Sequence, residues 1–245
     1  MAAASRRKTV WVWVIVLAVF AGAVWVAVST IRSSLHPLSV IEDPFPQEDL
    51  RPEGSEEERG PVNFLVFGQA ASSNQTLSIF HLADGRRRID ILNFPQDAHL
   101  VSDLDDVEGT LVAVEELTGA RMEHVMLWDL EFLTELDSTD ITAEELTEHP
   151  EALSADDVWT SVLQEALDTQ DPGQLQSIAR SLTPYVAADG GLNTGRITDL
   201  ARSLRHVPAA NIASCKLPAD MTQTQRADLV EYFATGQPTQ CAELF

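Results

Sequence analysis

Few residues of this sequence have the types and spacing that chemistry requires, and Asp97 is the first of them. It ends a Pro95-Gln96-Asp97 tripeptide that directly follows an apolar run over 88–94. A carboxylate placed after a strand can hold a cation or a proton, but an aspartate in this position more often accepts hydrogen bonds within a turn. The sequence leaves both interpretations open, and Asp97 is the residual candidate for a functional carboxylate.

A second feature is the basic cluster formed by Arg86, Arg87 and Arg88. Three arginines in a row can contact an anionic wall polymer or a lipid headgroup. The alternative is a solvated hairpin turn, which the preceding Asp84-Gly85 pair favours. The acidic residues of 129–157 similarly indicate a solvated face rather than a cation site.

Other familiar catalytic patterns are missing from the sequence. The six histidines show neither H-x-x-H nor H-E-x-x-H spacing, so no zinc site is indicated. There is no G-x-S-x-G elbow for a serine hydrolase. There is also no G-x-x-x-x-G-K-[ST] or G-x-G-x-x-G loop for a nucleotide.

The elements that would position these residues begin with a membrane anchor. Residues 9–31 are uncharged and free of proline, and about 20 apolar residues suffice to cross a bilayer. Arg6, Arg7 and Lys8 precede the run, which predicts a cytoplasmic N-terminus over 1–8 and a domain outside the cytoplasm. A cleaved signal peptide is the alternative, but the run exceeds the usual 7–15 residues and offers no small-residue cleavage site. We therefore expect a single-pass protein of the cell membrane.

The net charge of the part expected to be exported limits the classes of partner that it can bind. Without the three N-terminal basic residues, 13 Lys and Arg remain against 38 Asp and Glu, a net charge of about −25. A surface this acidic repels nucleic acid, so no nucleic-acid partner is expected. The two cysteines, Cys215 and Cys241, are either bridged or unrelated thiols. Export to an oxidising compartment favours a disulfide, worth roughly 3 kcal/mol by loop closure.

The rest of the chain divides into a linker and one domain. Residues 32–60 hold four prolines and a run of glutamates, which predicts a flexible acidic linker. The folded domain then spans 61–245. Short apolar runs predict strands over 63–68, 76–82, 88–94, 123–128 and 211–217, the second and third of them forming a hairpin.

Helical patterns lie between and after these strands. The spacing of Val107, Leu111 and Val114, with Gly119 as a stop, predicts one helix over 107–118. Asp129 is expected to cap a helix that runs to about Leu136. Further helices are predicted over 154–168, 172–188, 195–205 and 222–235. Strands with intervening helices indicate an α/β domain, with helices packed on its sheet.

The order of these pieces resembles the LytR-CpsA-Psr (LCP) family of bacterial envelope proteins. The resemblance rests on residues 64–76 (FLVFGQAASSNQT), 82–100 (LADGRRRIDILNFPQDAHL), 107–133 and 183–218. The segment 107–133, with its helix, Thr-Gly turn and following strand, carries it most specifically. It implies an α/β/α sandwich with a mixed central sheet, preceded by one transmembrane helix.

The resemblance also implies an activity. LCP enzymes transfer glycopolymers from a polyprenyl-pyrophosphate carrier to peptidoglycan or a related wall acceptor. That reaction uses Mg²⁺ held by carboxylates and arginines that neutralise the pyrophosphate. The implied partners are the cytoplasmic membrane, a polyprenyl lipid and other envelope-assembly proteins.

This sequence departs from the family at the residues that carry the chemistry. Ala70 stands where the first loop of the family has an acidic residue. In the next motif the arginine is replaced by Ser73 and the acidic residue by Gln75. In the Pro-Arg-Asp motif Gln96 replaces the arginine, which leaves Asp97 alone. Between Arg121 and Arg180 the chain has no Lys or Arg.

These departures predict a protein that binds or regulates in cell-wall biogenesis without catalysing transfer. Neutral side chains neither ligate Mg²⁺ as carboxylates do nor neutralise a pyrophosphate, so we expect no resident cofactor. An active phosphotransferase with an unusual site is the alternative. An anchored structural domain without a ligand is a third possibility.

Overall fold

The computed structural model describes the parts of the chain that build one sheet and the helices on it. No helix in these parts is long and apolar enough to cross a bilayer. The predicted anchor at 9–31 and the N-terminus at 1–8 lie outside the described residues, so both stay predictions. The described residues are 39–41, 44–48, 51–54, 60–70, 73–83, 85, 87–95, 104–135, 183–192, 207 and 211–235.

Seven strands of the described chain form one mixed sheet in the order β1-β6-β5-β2-β3-β4-β7. Three neighbouring pairs are parallel, β1 with β6, β2 with β5 and β4 with β7, and the other three are antiparallel. The α/β class and the mixed sheet expected from the sequence are confirmed. The strands are β1 Ser39–Ile41, β2 Val62–Ala70, β3 Ser73–Leu82, β4 Ile89–Asn93, β5 His124–Asp129, β6 Val186–Asp189 and β7 Ile212–Lys216.

Two α-helices pack on one face of this sheet, α1 over Val107–Thr118 and α2 over Gln223–Thr235. Asp106 begins α1 by accepting a hydrogen bond from the Gly109 N–H at 3.0 Å. Gly119 ends it with a φ of 63°, a left-handed conformation that glycine adopts without strain. The predicted helix is therefore present with the predicted bounds. Short 3₁₀ helices cover Leu130–Glu135 and Thr183–Tyr185.

The alternation of side chains along the strands produces two hydrophobic cores. On β2, Leu65 and Phe67 point to the face covered by α1 and α2, which we call the helical face. Phe64 and Val66 point to the second face, where Trp128 and Phe132 are buried. Because both faces of β2 are fully buried, this strand appears in the sequence as a continuous apolar run.

The prediction of one helix over 172–188 is wrong at its C-terminal end. The chain forms a short 3₁₀ helix at Thr183–Tyr185 and then strand β6. Pro184 has no backbone N–H to give to a helix, and it also disfavours helical backbone at the residue before it. The following Val186 and Ala188 are then buried by pairing with β5.

The segment 32–60, predicted as a flexible linker, differs from that expectation in its described residues. Ser39–Ile41 is a strand of the sheet, parallel to β6. Pro44 is buried, and the side chain of Arg51 is only 3% exposed. A proline-rich and charged composition suggested solvation, whereas pairing with distant residues orders these positions.

Candidate functional site

The motif residues that the structure describes, Ala70, Ser73 and Gln75, lie at one end of the sheet. Strand β2 ends at Ala70, β3 begins at Ser73, and β4 ends at Asn93 just before Pro95. Strands β5 and β7 end there too, since Gln69 pairs with Asp129 and Asn93 pairs with Lys216. We call this the motif end. The other end, where β2 and β5 begin, is the opposite end.

Some of the predicted site residues lie in the described part of the chain, and others do not. Ala70 is the buried last residue of β2, and Ser73 and Gln75 lie within β3. Gln96 and Asp97 lie outside the described residues, so the interpretation of Asp97 as a functional carboxylate stays a prediction. Among the residues that the structure describes, no group of three or more His, Cys, Asp or Glu side chains could hold a metal.

A β-bulge marks the motif end, and the sequence did not predict it. Gly68 pairs with Thr76 while Gln69 pairs with Asn74, which leaves Gln75 as the extra residue of β3. Bulges redirect side chains and are frequent beside functional sites. The backbone therefore leaves regular pairing at Gln75, one of the residues singled out in the sequence.

Gly68 allows three elements to pack closely at this end. A Cβ at this position would lie 2.3 Å from Thr76 Oγ1 and 2.9 Å from Leu130 Cδ2, both too close for a real contact. Leu130 begins the 3₁₀ helix after β5, and the Glu131 N–H donates to Asp129 Oδ1 at 3.0 Å. The close packing at Gly68 and the hydrogen bond at Asp129 therefore make the motif end compact.

The buried arginines of the described chain lie at the opposite end. The guanidinium of Arg51 donates from Nη2 to Glu115 Oε1 at 2.8 Å and from Nε to the same oxygen at 3.2 Å. Arg51 also stacks on Phe45, with its guanidinium carbon 4.5 Å from the ring centroid. Glu115 accepts the Met122 N–H at 2.8 Å as well. We call this ion pair the Arg51–Glu115 latch.

Arg121 is likewise engaged at the opposite end. Its Nη2 donates to Glu48 Oε2 at 2.8 Å, and its backbone carbonyl accepts from Asn63 Nδ2 at 2.7 Å. Glu123 then accepts the Asn63 N–H at 2.6 Å. Sequence analysis missed these pairs because Glu48 and Arg51 lie in the segment predicted as a linker, and nothing local in the sequence marks their distant partners.

Burial raises the pKa of Glu123 to about 7, against the opposing effects of the Asn63 N–H and Arg121. Between the ordinary value of 4.5 and about 7, the folded protein holds a proton on Glu123 that the unfolded chain does not. The free energy of unfolding should therefore fall as pH rises through that window and level off above it. We expect Glu123→Gln to remove this fall, as measured by urea unfolding from pH 4 to 8.

The matched control for this prediction is Glu53→Gln, which removes one charge from an exposed position near the same end. It should leave the pH dependence of unfolding as it is in the unaltered protein. A Glu123→Gln variant with an unchanged slope would show that Glu123 does not hold the proton.

A further polar cluster lies under α2 on the helical face. Arg88 Nε donates to Asp90 Oδ2 at 2.7 Å, and the hydroxyl of Tyr232 donates to the same oxygen. Burial and the neighbouring charge of Asp90 raise the pKa of Tyr232. Burial, aided by Arg88, lowers the pKa of His81 to about 3, so its ring is neutral. Of the predicted basic cluster, Arg88 therefore belongs to the core, while Arg87 is exposed.

His124 and Asp189 form a buried pair where β5 begins. His124 Nδ1 lies 3.1 Å from Asp189 Oδ2, which also accepts the Val125 N–H at 2.9 Å. Burial of Asp189 opposes ionisation, but the bonds from His124, Val125 and Gly191 lower the pKa of its carboxyl below the ordinary value. The pair joins β5 to the end of β6 and so has a structural role.

Cys215 lies on β7 and is disulfide-bonded. Its predicted partner Cys241 lies outside the described residues, so the pairing of Cys215 with Cys241 stays a prediction. Non-reducing peptide mapping of the intact protein would identify the linked peptides.

Comparison with known proteins shows which solved structures have a similar architecture. No protein-family model and no curated protein matches the sequence. Among solved structures, a LytR-Csp2A-Psr enzyme from Actinomyces oris matches with a TM-score of 0.52 and 14% identity, over 81% of this chain and 96% of that one. TagV of B. subtilis matches with a TM-score of 0.51 and 12% identity, over 74% and 98% of the two chains. Matches at identities this low are evidence of a shared fold alone. On that evidence, the chain has the fold of LytR-CpsA-Psr proteins.

Proposed function

We propose that this protein is a single-pass, extracytoplasmic LCP-like protein that binds or regulates the machinery of envelope glycopolymer assembly without transferring glycopolymer itself. One observation carries the proposal. Every buried or partly buried arginine of the described chain, namely Arg51, Arg88 and Arg121, is paired with a carboxylate at the opposite end of the sheet. None of the three is available to a ligand at the motif end.

The chemistry of a pyrophosphate explains why this distribution supports the proposal. Transfer from a pyrophosphate carrier develops negative charge that cations must stabilise. Each charge-assisted hydrogen bond contributes roughly 1.5–3 kcal/mol, so loss of several cannot be recovered from neutral contacts. At the motif end Ala70, Ser73 and Gln75 supply neither a cation nor a carboxylate. They do not fit a resident Mg²⁺, and we derive no step through one.

The similarity of the scaffold supports a role for the domain in envelope glycopolymer assembly. The A. oris structure to which the chain is similar is an LCP enzyme, and the match extends over most of both chains. Gly68, the bulge at Gln75 and the cap at Asp129 keep the motif end compact. A domain that retains this surface but lacks its charges is suited to bind a partner or a carrier lipid without cleaving it.

The test is binding of a polyprenyl pyrophosphate and of the monophosphate to the full-length protein in detergent, with and without Mg²⁺. We expect no Mg²⁺-dependent binding. Weak binding of both lipids irrespective of Mg²⁺ would also agree with the proposal, because it would reflect the prenyl chain alone. Tight binding that requires Mg²⁺ would overturn it and support the alternative, an active phosphotransferase with an unusual site. The A. oris enzyme is a suitable positive control.

A further inference from the structure

The direction in which the chain enters the sheet indicates how the domain is oriented relative to the proposed membrane anchor. Ser39 pairs with Ala187, and Ala187 in turn pairs with Leu127. Leu127 pairs with Phe67, so Ser39 lies level with Phe67 on β2. By the same steps Ile41 lies level with Leu65. Since β2 runs towards the motif end, β1 runs away from it, and the chain preceding Ser39 comes from the side of the motif end.

The distance to the apolar run at 9–31 is short. From Ile31 to Ser39 the chain can span at most about 29 Å, at 3.6 Å per residue. An unstructured segment of that length has a root-mean-square span of only about 16 Å. From the level of Phe67 the motif end is about 10 Å away and the opposite end about 17 Å, at 3.3 Å per residue.

These lengths favour one orientation. With the motif end towards the membrane, the segment before Ser39 continues the direction of β1 and needs no reversal. With the opposite end towards the membrane, it would have to turn back along the sheet. The reversal alone would use up the average span of this segment. No length would then remain to reach the membrane.

The opposite end is in addition already covered by the chain itself. The described residues 44–48 and 51–54 pack there through the Arg51–Glu115 latch, the stacking of Arg51 on Phe45 and the pair between Arg121 and Glu48. Pro44 is buried in the same stretch. These residues come after β1 in the sequence and lie at the opposite end, in agreement with the direction of β1.

We infer that the motif end of the sheet faces the headgroup plane of the membrane that holds the anchor, at a separation set by residues 32–38. The inference rests on the anchor in the proposed function. Charge at the motif end does not favour attraction to anionic lipid, because the exposed Glu131 and the half-buried Asp129 are acidic and oppose the exposed Lys216 there. The inferred orientation therefore follows from the direction of β1 and not from attraction to headgroups.

The experiment compares two heights above a lipid surface. A fluorescent amino acid is introduced at Glu131, at the motif end, or at Glu53, at the opposite end, both of them exposed. The full-length protein is reconstituted into vesicles that contain a headgroup-labelled acceptor lipid, and energy transfer is measured. We expect the probe at residue 131 to be closer to the lipid surface by on the order of 20 Å, because β2 alone spans about 26 Å.

A second variant tests the cause. Insertion of twenty Gly and Ser residues between Leu35 and His36 should abolish the difference between the two probes. Equal transfer in the original protein, or stronger transfer from residue 53, would overturn the inference. Association with vesicles is measured separately by flotation. Failure to float would reject the anchor of the proposed function, whereas a floating protein with the wrong orientation would reject this inference alone.

Discussion

Arg51→Ala is expected to lower the free energy of unfolding by roughly 3–5 kcal/mol, the usual cost of breaking a buried ion pair by removing one partner. Both side chains of the latch are only 3% exposed, so Glu115 would remain as a buried charge without its cation. The variant also loses the stacking on Phe45. Urea unfolding followed by circular dichroism measures the change.

The matched control is Arg121→Ala, in the second ion pair at the same end. Its partner Glu48 is 73% exposed, so solvent screens this pair and the loss should be much smaller than for Arg51→Ala. In the double variant Arg51→Ala with Glu115→Ala the loss should be smaller than the sum of the two single losses, since neither charge is then left alone. Equal and small effects of Arg51→Ala and Arg121→Ala would contradict the docking of residues 44–54.

Introducing the charges that the LCP motifs carry is expected to create affinity for a polyprenyl pyrophosphate. The triple variant Ser73→Arg, Gln75→Asp and Gln96→Arg introduces two cations and one carboxylate, and the changes at residues 73 and 75 lie at the motif end. At roughly 1.5–3 kcal/mol for each charge-assisted contact, two effective contacts would raise affinity by a factor on the order of 100 or more. Calorimetry with and without Mg²⁺ measures the gain.

The same charges placed elsewhere form the control. Thr224→Arg, Gln223→Asp and Thr222→Arg lie at exposed positions around the start of α2 and add an equal net charge. They should not produce Mg²⁺-dependent binding. If the motif variant folds, as judged by its unfolding transition, and still gains nothing over this control, the charges at these positions do not determine affinity for the pyrophosphate.

Local signals account for what the sequence predicted well. The hairpin of β3 and β4 follows from a turn pair between two alternating runs. Helix α1 follows from its apolar spacing and from Gly119, whose φ of 63° explains the stop. These elements form most of their backbone hydrogen bonds with neighbours in the sequence, and a pattern of ten or twelve residues captures them.

The missed features depend on residues far away in the chain. The segment of β6 contains three alanine or valine residues in a row, which also suit a helix, and only pairing with β1 and β5 makes it a strand. Arg51 lies in a segment with the composition of a linker. Its role depends on its ion pair with Glu115, 64 positions later in the chain. At the candidate site the resemblance pointed to Ala70, Ser73 and Gln75, which stay predictions as site residues, whereas the bulge at Gln75 arises from the register between two strands. No pattern within a single strand encodes it.

The pairing of β1 with β6 also bears on how the chain reaches its folded state as it is synthesised. Of the described strands β1 is made first, yet Ser39 pairs with Ala187, and Ile89 of β4 similarly pairs with Ile212. Folding slows as native contacts become more distant along the chain, because loop entropy must be lost before they form. Until β6 and β7 are available, β5 and β4 present unpaired edges. We therefore expect the incomplete chain to be prone to aggregation and, under the proposed export, to depend on chaperones outside the cytoplasm during that interval.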